Sequence, residues 1–324
     1  MFVQAPRIAL AMTLVLTIAG CGSGSTSSSP RSSSTAPPEP CGSITIAVNP
    51  WVGYEANAAV VAYLAEKRLG CKVTKKEVDE QTAWQGLDSG EIDVILENWG
   101  HEDLKQKYIE EKHTAVRVGP SGNKGVIGWY VPPWMKKTYP DITNWQNLNK
   151  YANLFVTPQS EGKGQVLDGD PSYVTNDEAL VKNLNLNYKV VYAGSEQASI
   201  KAFRQAEEKK APLIGYFFEP QWLHLDIELV KIELPEYKAG CDADTAKVAC
   251  DYPRYELDKI ASKKFLEKGG PAARLIQNFQ WSNDEQDTVA SFIAKYKMSP
   301  EEAAKRWVEA NPDRVEDWLT KAKP

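Results

Sequence analysis

The residues best placed to do chemistry in this chain are aromatic. They stand in four short segments: Asn49-Pro50-Trp51-Val52-Gly53-Tyr54, Glu97-Asn98-Trp99-Gly100-His101, Pro171-Ser172-Tyr173, and Tyr216-Phe217-Phe218-Glu219-Pro220-Gln221-Trp222. Large rings usually disappear into a core. Here they occupy Gly- and Pro-flanked loops where runs of strand character end, so some of them are expected to face a cleft. The face of an aromatic ring is electron-rich, and three or four such faces arranged as a box attract a weakly hydrated cation, each contact contributing ~0.5–2 kcal/mol once water is excluded. A quaternary nitrogen donates no hydrogen bonds, which makes a box of rings its natural receptor. Rings from these segments, Trp51, Tyr54, Trp99, Tyr173 and Phe218 among them, are the candidates for such a box. Glu97 and Glu219 flank it. Ionised and facing the cleft, they favour a ligand of net positive charge over a zwitterion; turned away, they serve structure by bonding backbone donors or a lysine.

Other chemistries find little support. The three histidines, His101, His113 and His224, lack a spaced Cys, Ser or Asp partner that would suggest a triad or a metal site, so no enzyme is expected. Asp168-Gly169-Asp170-Pro171-Ser172 begins like a calcium loop, but Tyr173 stands where the turn glycine belongs and Ala179 where the bidentate acid belongs. Glu161-Gly162-Lys163-Gly164 lacks the glycine spacing of a phosphate loop. No metal or cofactor is expected. A net charge of −5 with dispersed Lys and Arg gives no basic stripe for nucleic acid.

Those loops need a scaffold, and 324 residues with 42% hydrophobic content are enough for about two domains. From residue 43 onward, β-branched runs alternate with amphipathic stretches, the signature of an α/β fold with a largely parallel sheet. Strands are expected at 43–49, 72–79 and 92–99, with a helix at 54–68; a glycine- and proline-marked stretch spans 119–125. A strand at 126–131 ends in Pro132-Pro133, where the chain is expected to cross to a second lobe. There the expected strands are 154–157, 189–193 and 213–218, with helices near 177–186 and 195–209. The extended run at 227–234 returns the chain, and the region beyond the 241–250 loop is expected to be helical. Ser299-Pro300-Glu301-Glu302 marks a helix start. The resulting division is 43–130 plus 226–324 for the first lobe and 131–225 for the second, with the ligand cleft at the carboxyl ends of the strands.

The first forty residues have a different purpose. Residues 8–20 are apolar and uncharged but shorter than the ~20 residues a membrane-spanning helix requires, and read as the hydrophobic part of a signal peptide covering 1–20. Ile18-Ala19-Gly20-Cys21 resembles a bacterial lipobox. That resemblance implies a mature chain beginning at a lipidated Cys21, with the Ser/Pro-rich 21–42 as a tether to the outer face of the cell membrane. Four further cysteines remain. Cys41 and Cys71 precede neighbouring strand starts, and Cys241 and Cys250 flank a short polar loop, so two disulfides are expected in an oxidising compartment. Zinc is disfavoured, since no CxxC pair or His partner is near.

At the aromatic segments the chain resembles the substrate-binding proteins of glycine betaine, proline betaine and choline ABC importers. Asn98-Trp99 followed by His101 looks like that family's first cage ring, Pro-Ser-Tyr173 like its second, and Phe218-Glu219-Pro220-Gln221-Trp222 like the segment supplying the third, with Phe218 at the cage position and Trp222 at a packing position; the box this implies is Trp99, Tyr173 and Phe218, completed by Trp51 or Tyr54. Gly194-Ser195-Glu196 also looks like the family's turn into a helix. Tyr and Phe replace two of the family's tryptophans, and Glu97 and Glu219 stand where it keeps neutral residues. The resemblance implies a two-lobe periplasmic-binding-protein-like fold (type II), an extracytoplasmic solute-binding lipoprotein, and an ABC permease and ATPase as partners. It also implies a backbone anion site at Val52-Gly53-Tyr54, where a helix N-terminus could take a carboxylate. Glycine betaine is the first expected ligand and choline or another net-cationic amine the second; a non-transport lipoprotein borrowing the fold is the remaining alternative.

Overall fold

A computed structural model describes residues 40–323. The signal segment, Cys21 and most of the Ser/Pro tract lie outside the described residues. Among the described residues nine strands form one sheet: β1 (Ser43–Val48), β2 (Lys72–Glu77), β3 (Val94–Asn98), β4 (Ala115–Val131), β5 (Gly164–Asp168), β6 (Tyr188–Tyr192), β7 (Gly215–Glu219), β8 (Val230–Lys231) and β9 (Arg254–Ser262). Their order is β2-β1-β3-β9-β4-β7-β5-β6, with β8 paired to β4. At one end β1 pairs parallel with β2 and β3, and at the other β5 pairs parallel with β6 and β7. Each trio is a wound α/β unit. Between them β4 and β9 run antiparallel, so two strands carry the chain across the middle of the molecule.

Four readings of the elements change. Residues 154–157 are not a strand; the chain there makes a 3-10 turn, Ala152–Phe155, and the strand comes later as β5. The run 227–234 contains only the two-residue β8, and the region after the 241–250 loop opens with β9 instead of a helix. β9 carries Asp258 and Lys259 in its buried half, and such charges read as surface. Finally, the glycine- and proline-marked 119–125 belongs to the 17-residue β4, whose register shifts between Arg117 and Gly119 and between Pro120 and Lys124. Such irregularities use glycine where the backbone needs it. Gly122 has φ +95°, and a Cβ there would stand 2.4 Å from the carbonyl oxygen of Trp281.

The helix Val52–Leu69 is buried along most of its length and ends on Gly70 at φ 71°. Three C-terminal helices, Pro271–Asn278, Asn283–Ala294 and Pro300–Ala310, pack against it. Ser299 caps the last of these through a capping box with Glu302, as its sequence predicts. Disulfides join Cys41 to Cys71 and Cys241 to Cys250, the expected pairs.

Candidate functional site

A cavity of about 770 Å³ opens where the two wound units face each other, lined by Trp51, Trp99, Tyr173 and Phe218 together with Tyr216 and Tyr255 among others. The rings form a continuous set. Trp51 meets Tyr173 at 5.8 Å, Tyr173 meets Phe218 at 6.5 Å, Phe218 meets Trp99 at 5.8 Å, and Trp99 meets Tyr255 at 5.7 Å between centroids, each pair edge to face. Tyr216 closes the second wall at 6.3 Å from both Tyr173 and Phe218. Four of the five rings expected from sequence therefore come together. The fifth, Tyr54, lies behind the wall: it is fully buried, packs against Trp51 at 5.4 Å, and accepts a hydrogen bond from the Leu96 amide.

Local structure explains these placements. Trp51 and Trp99 follow β1 and β3, parallel strands that end on the same side of the sheet. Phe218 and Tyr216 are two apart on β7, so the pleat presents both to one face, while Phe217 turns the other way to pack on Phe203 at 5.0 Å. Gly125 allows Trp99 to seat against β4, since a Cβ there would lie 2.7 Å from the indole. Trp222 is buried, with the Arg204 guanidinium 5.0 Å from its ring, and does not line the cavity.

The two glutamates expected as possible ligand contacts do not line the cavity either. Glu97 is completely buried, and one of its oxygens accepts from the indole N–H of both Trp51 and Trp99, each at 2.9 Å. The other accepts from Asn57 at 2.5 Å and from Gln286 at 3.0 Å. Four donors thus converge on one carboxylate whose effect is to fix two rings. Burial pushes its pKa up to about 7 against the opposing pull of the indole and amide donors. Such a bond also draws charge toward the indole, which enriches the ring face. Glu219 is half-buried and accepts from the Tyr130 hydroxyl at 3.4 Å.

Sequence reasoning misses Tyr216, Tyr255 and the role of Glu196. Tyr216 is legible from its alternation with Phe218; Tyr255 is not, because β9 falls in a stretch expected to be helical. Glu196 belongs to the Gly194-Ser195-Glu196 turn, where nothing local assigns it a task. It is buried at the start of the helix Glu196–Lys209, accepting from the Val52 amide at 2.9 Å and from Gln221 at 3.0 Å, and burial raises its pKa to about 7. On the second wall, Asp177 accepts from the Tyr252 hydroxyl at 2.6 Å; burial and the neighbouring Asp168 push it to about 8. Nearer the solvent, Lys105 and Arg117 both turn to Asp258, at 3.4 and 2.6 Å, and His101 pairs with Glu80 at 2.7 Å. Burial pulls the His101 pKa down, but Glu80 outweighs it and the net shift is upward.

Two wound units joined by a crossing strand pair, with a ring-lined cavity between them, define a two-lobe solute-binding fold. Solved structures of like fold include a lactococcal protein closed around glycine betaine (TM-score 0.66, 21% identity, 86% of this chain and 99% of that one) and an ABC-transporter choline-binding protein with choline (TM-score 0.69, 19% identity, 88% and 93%). The family model for the substrate-binding domain of ABC-type glycine betaine transport systems matches residues 42–310, and the chain belongs to that family. Among characterised proteins, the trimethylamine N-oxide-binding protein of Pelagibacter ubique is 24% identical over 287 residues, covering 83% of this chain and 88% of its own length. A glycine betaine/carnitine transport binding protein of Listeria monocytogenes is 25% identical over 173 residues, 53% of this chain and 51% of its own. The family is one of transport substrate-binding domains. No helix among the described residues is long and apolar enough to cross a membrane.

Proposed function

We propose that this chain is an extracytoplasmic binding protein that captures a small quaternary-ammonium solute, of the glycine betaine and choline type, in a cage of Trp51, Trp99, Tyr173, Tyr216 and Phe218. It presents the loaded cage to an ABC permease and its ATPase. The observation that carries the reading is the pair of indoles held by the single buried carboxylate of Glu97 opposite the rings of β7. A methylated ammonium placed among these faces keeps its charge stabilised without needing acceptors for hydrogen bonds it cannot make, and the rings exclude water from it. The lobes, 43–130 with 226–324 and 131–225, close on the ligand by bending at the β4 and β9 crossing. Glu97 is a positioning residue in this scheme, while Tyr54 and Glu219 support the walls from behind.

Calorimetric titration of the soluble domain with glycine betaine, choline, carnitine, proline betaine and trimethylamine N-oxide tests the reading: saturable binding of at least one of them is expected, and binding of none overturns it. The anchor is proposed separately from the lipobox-like Ile18-Ala19-Gly20-Cys21 and the tract behind it. Made in a bacterium, the chain should incorporate labelled fatty acid, and Cys21→Ala should abolish both label and membrane partition. An unlabelled wild-type chain would mean that Cys21 is not an anchor.

A further inference from the structure

The helix Val52–Leu69 begins beside the cage, since its N-cap is Trp51, and that residue supplies no side-chain cap. Some helices here are capped locally, Ser195, Ser282 and Ser299 each accepting from the first turn of their own helix, while others, such as Asp177–Asn183 and Pro271–Asn278, share the lack of a side-chain cap. An uncapped N-terminus presents amide donors and the positive end of the helix dipole, a place that draws an anion. In this chain an anion is already there. The carboxyl of Glu196, 144 residues further along, accepts from the Val52 amide at 2.9 Å and is anchored on its other oxygen by Gln221 at 3.0 Å. Glu196 is itself buried at the start of the helix Glu196–Lys209, so backbone on both sides fixes its position.

We infer that Glu196 is a specificity residue: by filling the anion position at the N-terminus of Val52–Leu69 it makes the cage select a net-cationic methylated ammonium, such as choline, over a zwitterion that carries its own carboxylate. This rests on the cage reading above and narrows it. Val52 and Glu196 stand behind Trp51 and do not themselves line the cavity, so a ligand carboxylate reaching for this helix end finds its amide taken by an oxygen of the protein, and if Glu196 is ionised it also meets a like charge. Protonated or not, the carboxyl occupies the space. The remaining surroundings point the same way. The hydroxyls of Tyr173 and Tyr216 are held well above the usual tyrosine range, first by burial and then by Glu196 and by Asp168 respectively, which places carboxyls near both rings. Among the described residues lining the cavity, five carboxylates stand against three permanently charged cations. Two of those cations are committed, Lys105 to Glu102 and Asp258 and Arg117 to Asp258, while two further carboxylates of the lining, Glu80 and Glu256, are paired with His101 and Lys124. The third, Arg254, is solvent-exposed, where pairing with a ligand carboxylate is weakened by water.

The experiment titrates choline, tetramethylammonium and glycine betaine into the wild-type domain, Glu196→Gln and Glu196→Ala at one fixed ionic strength. Wild type should bind choline and tetramethylammonium about tenfold or more tighter than glycine betaine. Glu196→Gln should reduce that ratio by removing the charge, and Glu196→Ala should reduce it further by emptying the position, with betaine affinity rising in absolute terms. A wild-type protein that binds betaine as tightly as choline overturns the inference without any variant having to fold. So does a ratio unchanged in a folded Glu196→Gln. In both cases the cage reading survives, because ammonium ligands still bind; binding of none of the three would instead sink the cage and the selector with it.

Discussion

The two walls of the cavity use the same kind of side chain but hold it in different ways. On the β1 and β3 side, Trp51 and Trp99 share one oxygen of Glu97, whose second oxygen is tied to Asn57 and Gln286, so the wall is fixed from behind by a hydrogen-bond network that gives the carboxylate four donors and leaves the Asn57 side-chain oxygen without a partner. On the β7 side, Tyr216 and Phe218 are fixed by the pleat of a strand and by packing against Tyr173. A buried carboxylate held by four directional donors specifies one geometry for the rings it bonds, whereas ring-on-ring packing tolerates small rotations. In the proposed cage the first wall is therefore the preorganised half, and the second is the half expected to adapt when a ligand arrives.

The sharpest way to break that contrast is to remove one ring from each wall. Trp99→Ala should weaken ammonium binding by about 1–3 kcal/mol, roughly ten- to a hundredfold, because it removes a cage face and leaves Glu97 short of a donor. Phe218→Ala should cost less in affinity, since Tyr216 and Tyr173 can close toward the gap. Calorimetry on the two variants decides the matter: equal losses would mean that the walls are energetically alike. Glu97→Gln, which keeps the shape but not the charge, should lower affinity by about 1–3 kcal/mol and also reduce thermal stability, as expected when a buried acceptor of several donors is altered.

A smaller effect comes from protonation. Burial raises the pKa of Glu97 and of Glu196 to about 7. Glu97 is faced by the indoles, Asn57 and Gln286, with Glu196 and Asp287 as the nearby acids; Glu196 is faced by the Val52 amide and Gln221, with Glu55 as the nearby acid. A folded-state pKa above the ordinary carboxyl value means that the fold binds the extra proton, so the stability these groups contribute is present at low pH and is lost as pH rises from about 4.5 through about 7. Cation binding has the opposite sign. A positive ligand favours the ionised carboxylates and releases protons, so its affinity should climb between about pH 6 and 8 by up to about tenfold per proton released per pH unit. Melting curves with and without tetramethylammonium, taken at intervals from about pH 5.5 to about pH 8, should therefore separate progressively. A constant separation would place these carboxyls out of reach of the ligand charge.

Legibility from sequence differs between the same two walls. Trp51, Trp99 and the wound unit that carries them are readable because β1 and β3 are short, apolar and followed by glycine-bearing loops. Tyr173 and Phe218 are readable as types in a pattern. The crossing is not: β9 hides Asp258 and Lys259 in its core, where Lys259 bonds the Phe279 carbonyl, and β4 is interrupted by glycines that look like a loop. The roles of Glu97 and Glu196 are beyond reach for another reason. Glu97 acts through Asn57 and Gln286, 40 and 189 residues away, and Glu196 through Val52, 144 residues away, and no local pattern announces such bonds.

The finest distinction between the walls lies in a single hydroxyl. Tyr173 donates to the Pro50 carbonyl at 3.2 Å, a bond that reaches from the adaptable wall to the loop bearing Trp51. Its ring meets Trp51, Tyr216 and Phe218, so Tyr173→Phe keeps every ring face and removes only that bond. If closure of the second wall onto the first is what the hydroxyl contributes, Tyr173→Phe should weaken binding by about 0.5–1 kcal/mol, the net value of one neutral hydrogen bond. The loss should appear as faster ligand release with little change in association, because the bond forms after the ligand is caged. The bond is partly exposed and water can replace it, which sets the low end of that range. Stopped-flow quenching of the cage tryptophans can read both rates. A loss confined to association would mean that the hydroxyl shapes the open entrance, and no loss at all would leave the rings alone responsible for joining the two walls.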